Sequence, residues 1–142
     1  MKFLILLSFL VSCAYTEGRY KKDHHQDDFK SNMKPYDVHL MLTKKMEKCY
    51  PQSDYPVYEK TVSEFDQIKE SGTISYEIDN QSMGPRPLIL VEVMKDPASS
   101  LEGSLIKVYA KGDILRPGTV YSHQIHKWID GKTVDCHSHG EI

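Results

Sequence analysis

The sequence predicts an α+β fold, with one or two N-terminal helices followed by a mainly antiparallel sheet of about five strands that ends in a C-terminal hairpin. Three observations carry this. Apolar residues recur at helical spacing from Val38 to Met46. From Thr73 onward the period of the pattern falls to two, the mark of strands with one buried face. Asp130-Gly131 then separates two strand-like runs, a strong short-range hairpin signal.

Taken in order, Asp37 is placed to cap a helix running to about Lys48, with Val38, Met41, Leu42 and Met46 on one face. Pro51 forbids its continuation. Ser63 and Asp66 are expected to start a short second helix, 64–70, that turns Phe65 and Ile68 inward and stops at Gly72. Thr73 to Asp79 alternates, with Ile74, Tyr76 and Ile78 on one side. Leu88 to Met94 is apolar almost throughout, as a central strand covered on both sides would be. Leu105 to Ala110 alternates again, and Arg116-Pro117-Gly118 has the residues of a turn. The last pair of strands, 120–129 and 132–137, is expected to meet across Asp130-Gly131. A helix wrapped by a sheet is similar in outline to the cystatins, but the inhibitory signature of that family is absent.

The domain organisation follows from the ends. Residues 1–14 carry Lys2, an apolar run from Phe3 to Val11, and the small residues Ser12 and Ala14. That order is a secretory signal peptide, and the run is too short for a membrane span. Leu10-Val11-Ser12-Cys13 also reads as a bacterial lipoprotein box, with Cys13 as the lipidated anchor. Residues 15–35 are polar and charged and are expected to form a flexible arm. Within it, Lys21-Lys22 could be a dibasic processing site that exposes Asp23-His24-His25 as a Cu(II) or Ni(II) terminus. Residues 36–142 make a single domain.

Of three cysteines, Cys13 leaves with the signal, and the remaining Cys49 and Cys136 then have one possible pairing in an exported chain. No CxxC occurs, so neither a thioredoxin-type site nor a zinc knuckle is available. Asn80-Gln81-Ser82 is an N-glycosylation acceptor at the edge of a Gly-Pro loop. The formal charge is −2, and −3 once Lys2 is removed with the signal. That balance argues against nucleic acid or an anionic membrane as the main partner.

Two constellations follow from the hairpin register. Ile125, Ile129, Val134 and Cys136 would face the core, leaving His126, Trp128, Thr133, Asp135 and His137 together on the outer face. His126, Asp135 and His137 are chemically suited to zinc or copper. Trp128, His126 and Thr133 form the candidate binding surface, because exposed tryptophan is enriched at interface hot spots, and Tyr50, Tyr55, Tyr58, Tyr109 and Tyr121 extend it. His123, His126 and Glu92 are the general acid–base candidates. No GxSxG, HExxH or Gly-rich phosphate loop is present. The expected function is therefore a small secreted binding module without a required cofactor, an effector, inhibitor or carrier that acts on an extracellular protein or small ligand. A metal-binding secreted protein, or a metal-dependent enzyme, is the alternative.

Overall fold

The computed structural model of the chain describes residues 17–50, 52–53, 58–79, 84–99, 102–112, 117–132 and 136. Among them are three helices and one five-stranded antiparallel sheet, as the α+β reading expects. The elements are α1 (Glu17–His24), β1 (His25–Ser31), α2 (Pro35–Cys49), β2 (Tyr58–Asp66), β3 (Ser71–Asp79), β4 (Arg86–Lys95), β5 (Ser104–Ala110) and α3 (Gly118–Ile129). The strand order is β1-β5-β4-β3-β2, so the first strand lies beside the last, and β1 and β2 are the two edges.

Helix α2 forms where its periodicity places it. Pro35 occupies the first turn, where its missing N–H costs nothing, and Val38, Leu42 and Met46 point inward. The helix starts two residues before the expected Asp37 cap, with Lys34 at the cap position and no side-chain cap bond. At its other end the Tyr50 N–H bonds the Met46 carbonyl at 2.9 Å.

The inner face of the sheet supplies Phe29, Ile74, Tyr76, Ile89, Val91 and Val93 among others to the main core. Helices α2 and α3 cover that face, α2 over β3 and β2 and α3 over β5 and β1. The outer face has a smaller cluster, in which Leu90 and Tyr109 pack under Tyr20 of α1. This explains the continuous apolar run in β4: Ile89, Val91 and Val93 face one layer and Leu90 the other.

Three sequence expectations are corrected. The first concerns the polar arm at 15–35, whose described part from residue 17 onward forms α1 and β1. One aromatic anchors each element, Tyr20 in the outer cluster and Phe29 in the main core. The Tyr20 hydroxyl donates to the Leu88 carbonyl at 2.9 Å. Lys21 pairs with Glu92 of β4 and with Glu17 one turn earlier. Lys21-Lys22 therefore sits inside an ordered helix.

The second is the expected helix at 64–70. Residues 58–66 are instead strand β2, hairpinned to β3 with Asp66 opposite Ser71. Gly72 is a strand residue facing Phe65, where a Cβ would lie 2.5 Å from the Glu64 carbonyl oxygen and 2.7 Å from the Phe65 ring. Glycine marks close approach at this position, not a helix stop. The exposed side of β2 is partly closed: Ser53 exchanges two backbone bonds of 2.8 Å with Glu59, and the Gln52 side chain accepts from the Thr61 N–H at 2.9 Å.

The third correction is the largest. Residues 118–129 are helix α3, and no hairpin forms at Asp130-Gly131. Gly131 has φ +72°. Its N–H bonds the Trp128 carbonyl at 3.2 Å, while the Lys132 N–H reaches back to the Lys127 carbonyl at 3.0 Å. This pair of bonds is the Schellman arrangement, in which glycine takes the left-handed conformation that ends a helix. Tyr121, Ile125 and Trp128 fall on one helical face and are buried. Gly131→Ala is expected to cost about 1 kcal/mol in urea unfolding, the penalty for a Cβ at positive φ. An unchanged midpoint would show that the cap contributes nothing.

Candidate functional site

The residues singled out in the sequence separate in space. Trp128 is 1 % exposed, so it belongs to the core and not to a binding face. It meets Tyr50 edge-on at 6.4 Å between ring centroids, and Tyr50 in turn stacks on Tyr76 at 4.9 Å. Tyr121 is buried in the same cluster. The Tyr50 hydroxyl donates to the buried Gln124 side chain at 3.0 Å, and with Tyr109 in the outer cluster three of the expected surface tyrosines, Tyr50, Tyr109 and Tyr121, are internal. Burial pushes the Tyr76 hydroxyl pKa up, which keeps this aromatic layer neutral.

His126 is exposed on α3 and lies flat on Phe29, with centroids 4.4 Å apart and planes within 12°. Thr133, Asp135 and His137 lie outside the described residues, as does Asn80 with its sequon. The register that aligned His126 with Asp135 and His137 does not exist, because His126 is helical. Among the described residues no group of three or more potential ligands converges to hold a metal ion. Cys49 and Cys136 form a disulfide, their Cα atoms 4.8 Å apart, between the end of α2 and the chain beyond α3. No helix of the described residues is long and apolar enough to cross a membrane.

Glu92 is engaged structurally. It lies on the outer face of β4, accepting from Lys21 and from the Tyr109 hydroxyl at 2.8 Å. Burial, and then the Glu92 carboxylate, pushes the Tyr109 hydroxyl pKa up, so it remains the donor. Burial works against the Lys21 ammonium, but Glu17 and Glu92 together outweigh it and hold its pKa above the usual lysine range. A carboxylate tied in this way fastens α1 to the sheet and is not free to move a substrate proton.

Two surface features remain that the fold does not explain. The first is a groove of about 500 Å³ between β1 and α3, floored by Phe29 and walled by Asp27 on the strand side and by His123, His126 and Lys127 on the helix side.

The second is the tip of the β2–β3 hairpin, where Ile68 is 96 % exposed. The tip is built to hold its shape. The Asp66 carboxylate accepts the Ile68 N–H at 2.9 Å and the Lys69 N–H at 3.1 Å, with the Lys69 ammonium 3.5 Å from its other oxygen. The Lys69 N–H foremost, with help from Ile68 and the Lys69 ammonium, lowers the Asp66 pKa. The ionised form is therefore the one that fixes the turn, an effect present near neutral pH and lost as pH falls through the lowered pKa. Glu70 has a positive φ of 48° and is held by Lys95 at 2.8 Å.

Sequence reasoning placed Ile68 inside a helix and missed the tip. The available signal was Asp66 ahead of a short polar stretch between two strand-like runs, since aspartate readily bonds the backbone two residues on.

No known protein family matches the chain, and no curated protein or solved structure shows detectable similarity to it.

Proposed function

We propose that this chain is an exported binding module that engages a protein partner through the β2–β3 tip. The observation that carries the reading is Ile68, a branched aliphatic side chain held almost wholly in water on a backbone fixed by Asp66 and Glu70. Transferring such a side chain into an apolar socket returns about 1.5–3 kcal/mol. A loop already in its bound shape loses little conformational freedom on docking. The tip is also electrically balanced, since Asp66 pairs with Lys69 and Glu70 with Lys95. That favours a protein socket with a polar rim over a charged membrane surface. Export is supported by the leader-like residues 1–14 and by the disulfide, which persists in oxidising compartments. Glycosylation at Asn80 belongs to the same proposal.

The test compares the mature chain with Ile68→Asp as bait in extracellular fluid, followed by titration of the purified partner. Affinity is expected to fall at least about tenfold, with thermal unfolding changed by no more than a surface substitution allows, about 0.5 kcal/mol. Equal affinity of the two baits for the same partner would refute the tip as the contact point.

A further inference from the structure

Ion pairs take up many of the surface lysines: Lys21 with Glu17 and Glu92, Lys30 with Asp96, Lys34 with Glu102, Lys69 with Asp66 and Lys95 with Glu70. Helix α2 departs from this pattern. Its last two turns carry Lys44, Lys45 and Lys48, and none of the three forms an ion pair among the described residues. Residues four apart lie in rows along a helix. On α2 one row runs Tyr36, Leu40, Lys44 and Lys48, and the next runs Asp37, Met41 and Lys45. Both rows are apolar at mid-helix and basic toward the C-terminal end. Between them is a groove of about 420 Å³ lined by Asp37, Leu40, Met41, Lys44, Lys45 and Lys48. Leu40 is 39 % exposed, one of three large hydrophobic side chains among the described residues that stand in water.

The lining sets three ammoniums against one carboxylate, a local positive excess in a chain whose formal charge is −2. That carboxylate, Asp37, is about 10 Å from Lys44 by helical rise and lies in the field of Lys34. Glu47, the other acid of α2, does not line the groove. The Lys44–Lys48 end therefore selects negative charge, while Leu40 and Met41 at the other end select an apolar group. A sulfated glycan would satisfy the lysines but leave Leu40 and Met41 against water. A protein segment that carries both carboxylates and an aliphatic side chain satisfies the whole groove.

We infer that the outer face of α2 docks an acidic amphipathic helix of another protein, laid with a ridge of its side chains in the groove between the two rows. An aliphatic side chain of that helix sits between Leu40 and Met41. Its aspartates or glutamates, one to two turns along, meet Lys44, Lys45 and Lys48. The hairpin tip differs in chemistry, because its charges are balanced within the chain. The α2 face stands independently of it.

The probe is a displayed library of helical peptides of about fifteen residues, long enough to hold a helix, randomised on one face and panned on the full mature disulfide-bonded chain. Enriched peptides are expected to carry an aliphatic residue with aspartate or glutamate three or four positions away. A synthetic peptide from that set should bind the double variant Lys44→Gln with Lys48→Gln about tenfold more weakly. Leu40→Ser should weaken it to a similar degree, and Ile68→Asp should leave it unchanged. Glutamine is a good helix former, so circular dichroism of the double variant should match that of the unaltered chain. Affinity should also fall as salt is added, a readout that needs no variant. Enrichment without acidic residues, or binding indifferent to the lysines, to Leu40 or to salt, would each overturn the inference. So would loss of binding in Ile68→Asp, which would move the peptide to the hairpin tip. Heparin or anionic vesicles that bind through the lysines and ignore Leu40→Ser would give the face to a polyanion instead. Dimerisation abolished by the same substitutions would give it to a second copy.

Discussion

Replacing Trp128 by alanine is expected to remove about 3–5 kcal/mol of stability, the range for emptying a large aromatic from a core. Its ring is enclosed by the α2–α3–sheet core, with Tyr50 edge-on against it. Loss of the indole leaves Tyr50 without that neighbour, and Tyr50 connects Tyr76, Tyr121 and Gln124. The damage should therefore spread through the layer instead of remaining a local cavity. Trp128→Phe keeps most of the apolar volume and should recover the greater part of the loss. The indole Nε1 is buried without a hydrogen-bond partner, so phenylalanine forfeits packing but no bond. Urea unfolding of the two variants reads the difference. A loss under about 1 kcal/mol for Trp128→Ala, coupled with loss of partner binding, would instead restore tryptophan to the surface.

The Trp128 error shows what the sequence could resolve. The period of two in β3 and β5, and the nearly unbroken apolar run of β4, were legible because these strands are central, with inner faces made of Ile, Val and Tyr. Helix α2 was legible from Val38, Leu42 and Met46. The edges were not. β1 contributes one core aromatic, Phe29, among charged residues, and its pairing with β5 spans most of the chain, a contact no local window can register. β2 buries little and carries a Ser–Asp spacing that resembles a helix start. Asp130-Gly131 misled for a physical reason: a positive φ at glycine serves a two-residue hairpin and a helix end equally well. The spacing of Tyr121, Ile125 and Trp128 carries the signal for a helix, and the dipeptide was followed instead. Of the candidate site, only His126 survived as an exposed residue beside a groove. Ile68 was missed because a hairpin tip shows its exposure only once both flanking strands are placed.

The Cys49–Cys136 disulfide is the second place where a single change should matter most. It joins the end of α2 to the segment beyond the Gly131 cap, across a sequence separation of 87. Helices α2 and α3 already pack together and against one inner sheet face, so the bond holds two elements the core has placed and chiefly restricts the unfolded chain. For a loop of this length the chain-entropy argument gives about 4.5 kcal/mol as an upper value, and structure remaining in the unfolded ensemble lowers it. The paired change Cys49→Ser with Cys136→Ser is expected to cost about 2–4 kcal/mol. Because the unlinked chain exposes more surface on unfolding, the dependence of stability on urea should steepen as well. These two signs distinguish loss of a cross-link from loss of packing at Cys49, which would lower the midpoint without changing the slope. Non-reducing peptide mapping of the natural protein provides the direct check. Recovery of Cys49 or Cys136 as a free thiol would contradict the pairing and remove the strongest structural support for export.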